Sequence, residues 1–163
     1  LEEAEYQPTI FLAGPISGTK EWQNSAIEII SKDSDLLIAT PRSLIWPDPH
    51  FDFEKQTDWE TKYLWQASET GAILFWLAKQ IELSPIDEAT GFNRIYSQTT
   101  RFELGEWKTR TQLDKNIKMV VGIEKGFADG DYVRQRFVQD CPHIPVTDNL
   151  EETCQIAVEL VSG

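Results

Sequence analysis

Short, unbroken apolar runs alternate along this chain with longer stretches in which apolar residues recur every three or four positions. The runs are TIFLA (9–13), LLIAT (36–40), AILFWL (72–77), IKMVVGI (117–123) and IPV (144–146). The helical stretches are EWQNSAIEIISK (21–32), TDWETKYLWQAS (57–68), TTRFELGEWKTR (99–110), DYVRQRFVQD (131–140) and NLEETCQIAVELV (149–161). A strand buried on both faces reads as a continuous apolar run, whereas a half-exposed strand alternates, so AILFWL and MVVGI read as central strands of a parallel sheet. The β-α-β-α order then predicts a single-domain α/β fold: a flavodoxin-like, Rossmann-like, doubly wound parallel five-stranded sheet of order 2-1-3-4-5. Ligands of such sheets bind beyond the carboxyl ends of the strands near the switch in strand order, which directs attention to that edge. Two long loops leave it, 41–56 and 78–98, and are expected to frame one pocket. Asp148 followed by Glu151 predicts a capping-box start for the last helix, and Gly130-Asp131 marks a break before or within the preceding one.

With 163 residues, 40% of them hydrophobic, the chain suits one domain spanning 1–163, with 1–8 as an irregular N-terminal segment. The 15 basic residues face 27 acidic ones, a formal net charge of -12. That field repels polyphosphate and anionic lipid, so nucleic acid and membrane are poor partners and a small, neutral or singly charged ligand a better one. No apolar run approaches the roughly 18 residues of a membrane span, and the acidic start LEEAEYQ lacks the basic and apolar regions of a signal peptide. Cys141 and Cys154 form neither a CxxC pair nor a metal-spaced set; free thiols in a reducing cytosol are expected, and a cytoplasmic setting with them.

Four constellations carry possible chemistry. In FLAGPISGTKEW (11–22), a strand runs into Gly14, Pro15, Ser17 and Gly18 and then a helix, a turn able to offer backbone N–H groups and a positive helix end to an anion or a sugar hydroxyl. Glycine also serves any turn that needs positive φ. In TTRFELGEW (99–107), Thr100 and Glu103 match the capping box S/T-x-x-E, which explains Glu103 without chemistry. Yet Gly105 costs the same helix roughly 1 kcal/mol relative to Ala, a penalty expected where something must approach closely. A carboxylate in a first helical turn is also expected to be held ionised by the helix terminus, the state needed for attack on a sugar carbon. The aromatic residues are mostly core material, with Trp76 at the end of a central strand and Trp46 and Trp59 flanking the first long loop as candidate walls for a flat heterocycle. Asp48, His50 and Asp52 in DPHFD suggest a metal only weakly, since no second ligand cluster supports them, and no metal is expected.

The ordered set IFLAGP (10–15), DWETKYL (58–64) before AILFW (72–76), and TTRFELG (99–105) resembles the nucleoside 2-deoxyribosyltransferase family, in particular its broader nucleoside 2-deoxyribosyltransferase-like branch. The resemblance runs from the first strand to the last helix. It implies a flavodoxin-like fold, a homo-oligomer (dimer or higher) whose site is completed by a neighbouring subunit, and no cofactor. It also implies that Glu103, at the glutamate of the family's E-L-G motif, is the nucleophile. That side chain would attack C1′ of a 2′-deoxynucleoside, expel the base and hold the deoxyribosyl group as an ester until a free nucleobase displaces it, two inversions giving net retention. Phe11 stands where better-known members carry a tyrosine. The aspartate with which they grip the base has no plain counterpart; Asp58 and Glu60 are the substitutes. Asp87, Glu88, Asn93 or Ser97 replace their acidic residue before the E-L-G motif. The residue readings and the resemblance together give as the expected substrate-binding set Gly14, Pro15, Ser17, Asp58, Trp59, Glu60, Trp76, Asn93, Ser97 and Thr100. In the related deoxynucleoside 5′-monophosphate N-glycosidases an arginine occupies the place of Ser17, which favours a nucleoside here, with Lys20 or Arg42 left to reach any phosphate.

Base exchange between 2′-deoxynucleosides is thus the leading expectation. The alternatives are hydrolysis of the N-glycosidic bond of a deoxynucleoside or its monophosphate, a flavodoxin-like FMN binder, and a non-catalytic ligand-binding module.

Overall fold

The computed structural model describes residues 7–43 and 49–163; Trp46, Asp48 and most of the 1–8 segment lie outside them. The described strands are β1 (Thr9–Ala13), β2 (Leu37–Ala39), β3 (Ala72–Leu77), β4 (Met119–Ile123) and β5 (Val146–Thr147). The helices are α1 (Gln23–Asp33), α2 (Phe53–Thr70), α3 (Gln98–Leu113), α4 (Gly130–Asp140) and α5 (Leu150–Ser162). All strand pairs are parallel and the order is β2-β1-β3-β4-β5, the doubly wound arrangement that the alternation predicts. Every residue of β1, β3 and β4 is buried, as continuous apolar runs require. The IPV run yields only a short edge strand: the Pro145 carbonyl accepts from the Val121 N–H, and pairing continues through Val146 and Thr147.

Alternation along the strands splits the core in two. Phe11, Ala13, Ile73, Phe75, Leu77, Met119 and Val121 face one side, where they meet Leu64 and Ala67 of α2, Leu104 and Trp107 of α3 and Phe137 of α4. Ile10, Leu12, Leu74, Trp76 and Val120 face the other, against Ala26 and Ile30 of α1 and Cys154 and Ala157 of α5. Cys141 and Cys154 are both free and buried, one in each half of the core, so the sheet itself separates them.

Helix starts follow local chemistry, with two departures from the sequence reading. α2 begins a turn earlier than its hydrophobic period suggests, because the Asp52 carboxylate accepts from the Lys55 N–H at 3.1 Å. Asp52 therefore caps this helix; among the described residues, which do not include Asp48, no three His, Cys, Asp or Glu side chains gather in a way that could hold a metal ion. α5 is capped by Asn149, whose side chain accepts from the Glu152 N–H at 3.0 Å, one residue beyond the Asp148 expected. Either residue type can cap; the chain turns into the helix at Asn149, where the backbone is still extended. Among the described residues, no helix is long and apolar enough to cross a membrane.

The Trp76 ring lies over Gly122, its partner in β4. A Cβ on Gly122 would come within 2.4 Å of that ring and 2.5 Å of the Thr153 hydroxyl. Gly122→Ala is therefore expected to overpack the α5 side of the core and to destabilise the fold by about 2 kcal/mol. The effect should appear as a lower urea midpoint at unchanged slope.

Candidate active site

A cleft of about 760 Å³ opens beyond the carboxyl ends of β1 and β3, within the range that holds a nucleoside-sized ligand. Phe11, Ala13 and the Gly14–Ser17 turn form its base. Pro41, Ser43, Phe51 and the first turns of α2 form one wall; loop 84–97 and the start of α3 form the other. Because β2 and β3 flank β1 in the sheet, the chain leaving β2 and the chain leaving β3 depart on either side of the turn that leaves β1. Residues of 78–98 and described residues of 41–56 line one pocket.

Gly14 is required here by close approach: a Cβ would sit 2.4 Å from the Trp76 carbonyl oxygen and 2.6 Å from the Trp22 ring. The Pro15 carbonyl then accepts from the Trp22 indole N–H at 3.0 Å. Gly18, with φ of +80°, offers its carbonyl to the N–H of Ile81 at 2.8 Å and clamps this turn to the chain leaving β3. The expected delivery of a positive helix end by this turn does not occur, since α1 starts only at Gln23 and contributes nothing to the cleft. The helix terminus that does reach it is that of α3, through Ser97, Gln98, Thr99 and Thr100.

α3 starts at Gln98, with Ser97 in the left-handed region at φ of 60° and no side-chain cap. Thr100 is thus inside the helix and buried, not its cap, and Glu103 lies in the second turn. The capping-box reading fails, because the chain is already helical before Thr100. The expectation that the helix terminus keeps Glu103 ionised fails with it: that influence fades beyond the first turn. Burial dominates instead, and with the neighbouring charges of Glu60 and then Glu106 it pushes the Glu103 carboxyl up to about 7. Glu60 is also raised by burial, an effect partly offset by the Gln56 amide that donates to it at 2.8 Å. The same amide donates to the Pro41 carbonyl at 3.3 Å, tying the end of β2 to the carboxyl pair.

Of the residues singled out from sequence, Gly14, Pro15, Ser17, Glu60, Asn93, Ser97, Thr100 and Glu103 line the cleft, as does Asp87. The Asn93 amide donates to the Ser84 carbonyl at 2.6 Å, so it braces the loop. The Ser97 hydroxyl is buried with no hydrogen-bond partner. Asp58, Trp59 and Trp76 are not among the lining residues. Asp58 points to solvent because α2 presents Phe53, Gln56, Thr57 and Glu60 to the cleft, and a residue two positions from Gln56 and from Glu60 lies on the opposite side of a 3.6-residue turn. Trp59 packs beneath the cleft, 6.1 Å from Phe11 and 4.7 Å from Tyr63 between ring centres. Trp76 belongs to the α1 and α5 side of the sheet by strand parity. Among the described residues, Phe51, Phe53 and Phe92 provide the aromatic surface in place of Trp59 and Trp76. They carry no periodic signal, being loop or helix-start residues, and only the hairpin pattern IDEATGFN around Phe92 hints at its position.

Among the described residues, no atom outside the backbone of the helix itself would come within 4 Å of a Cβ on Gly105, so close approach within the described chain does not explain it. The fold and cleft together define a doubly wound α/β protein with two carboxyl groups of raised pKa at the ligand-binding edge of its sheet. Comparison with protein-family models and with curated proteins returned no match.

Proposed function

We propose that this protein exchanges the base of 2′-deoxynucleosides, with Glu103 as the nucleophile and no metal or organic cofactor. The observation that carries the reading is the partly buried Glu103 carboxyl facing the cleft beside Glu60 at the carboxyl edge of the sheet. A desolvated carboxylate gains most by meeting the positive charge that develops at C1′ as the C–N bond breaks, and the absence of a 2′-hydroxyl eases that charge development. One Glu103 oxygen bonds to C1′ while the bond's electron pair leaves with the base. The departing nitrogen takes up a proton from water in the open cleft. A second base then reverses both steps.

Charge in the cleft favours a nucleoside over its monophosphate. Among the described residues, the charged side chains lining it are Glu60, Asp87 and Glu103 against Arg94, which is itself 3.9 Å from Asp87. A phosphate, whether of a nucleotide or of FMN, would meet a net negative surface. The homo-oligomer implied by the resemblance is part of the proposal. Its support is the outer face of α3, where Phe102 is exposed and Gly105 leaves room for a second copy.

Hydrolysis is the second reading, because the cleft stands open to water and water can meet the same ester. Incubation of one deoxynucleoside with a different free base tests both: a new nucleoside is the expected product, free deoxyribose would make the protein a hydrolase, and unchanged substrate would reject both.

A further inference from the structure

The rim of the cleft is aromatic on both walls, a feature that a carboxylate nucleophile does not require. Phe92 on one wall is 76% exposed, and Phe51 and Phe53 on the other are 58% and 73% exposed. Large apolar side chains grouped around a cavity mouth mark a surface meant to be covered.

Phe92 is held in place by its own loop. Residues 85–95 form a hairpin in which Ile86 bridges Asn93 in antiparallel fashion. The Asp87 N–H donates to the Phe92 carbonyl at 2.8 Å, and the Arg94 N–H donates to the Pro85 carbonyl at 2.9 Å. The Asp87 carboxylate accepts from the N–H groups of Ala89 and Thr90 at 2.8 and 3.3 Å, while Gly91 takes the positive φ that the tip needs. On the facing wall, Phe51 and Phe53 flank Asp52, which caps α2. The backbone positions of Phe92 and Phe53 are therefore set before any ligand arrives.

We propose that Phe92, opposed by Phe51 and Phe53, forms an aromatic clamp that takes a planar, uncharged heterocycle between the two walls of the cleft. Aromatic walls supply stacking that any flat ring satisfies. The carboxyl groups below, Glu60 and Glu103, are suited to N–H donors, which selects amino-bearing heterocycles over aliphatic or anionic ligands. Naming that heterocycle as the leaving base rests on the proposed base exchange, but the clamp itself does not.

Direct titration calorimetry with free adenine and with 2′-deoxyadenosine tests this on the full chain. Phe92→Ala and Phe53→Ala should each weaken adenine binding about tenfold, and Phe92→Tyr should restore it to within about twofold of the unaltered protein. If base exchange occurs, KM should rise by the same factor with kcat nearly unchanged. Phe92 sits exposed at a loop tip, so its removal leaves the core intact. Absent adenine binding in the unaltered protein, equal binding by the Ala variants, or a change of oligomeric mass with no change in binding would each overturn the clamp. Phenylalanine-dependent adenine binding in a protein that exchanges no base would keep the clamp and reject the proposed reaction. Exchange with an unchanged KM in Phe92→Ala would do the reverse.

Discussion

Glu103→Gln is expected to abolish base exchange while making the protein more stable. Removing a covalent nucleophile costs roughly 10⁴-fold or more in turnover, and glutamine keeps the shape of the side chain without the attacking charge. The gain in stability follows from linkage. The Glu103 carboxyl is raised from 4.5 to about 7 in the folded chain, so between those values the folded state binds more proton than the unfolded one, and stability falls as pH rises through that window. Below about pH 4.5 burial of this group costs nothing, because it is protonated in both states. Above about pH 7 the full cost of burying the charge is present, up to about 3 kcal/mol. Urea unfolding of the two proteins should therefore give equal stabilities at pH 4 and a more stable Glu103→Gln variant at pH 8, while exchange assays show a dead enzyme. Retained exchange would remove Glu103 from its role; equal stabilities at pH 8 would show that the charge is not desolvated.

The second large effect is on the acid side of the activity profile. Attack on C1′ needs ionised Glu103, so kcat/KM should rise tenfold per unit of pH and level off near pH 7. At pH 5.5 the activity should stand about thirtyfold below the plateau. Burial is the main cause of this placement and the Glu60 charge the next, so Glu60→Gln should move the acid limb to lower pH without returning it to the value of a free carboxyl. An acid limb that stays near pH 7 in Glu60→Gln would show that the two carboxyl groups do not sense each other.

These two predictions depend on facts of different visibility. That Glu103 would lie near the carboxyl edge of a parallel sheet was readable from TTRFELGEW following a central strand. Its proton affinity was not. Read as a helix N-terminal residue, Glu103 would be held ionised; in the fold it is a second-turn residue buried beside Glu60 of another helix, and the burial prevails. The choice between Asp58 and Glu60 was likewise open in the sequence, since both suit a base-side role. Of the two, only Glu60 lies on the α2 surface that meets the cleft, together with Phe53, Gln56 and Thr57. The tryptophans misled for a related reason. Trp59 and Trp76 sit near the cleft in sequence, yet one fills the core below it and the other faces α1 and α5. The exposed phenylalanines that do line it look in sequence like ordinary loop residues.

The element order, the parallel sheet and its strand arrangement were determined by the sequence alone, because hydrophobic period and run length are local properties that each segment displays by itself. Which side chains meet in the cleft, and how strongly Glu103 holds its proton, were decided only by the tertiary structure. Both depend on segments distant in sequence, brought together when β2 and β3 close on either side of β1. The free energy of a carboxylate is set by what surrounds it in space, which no single stretch of chain contains.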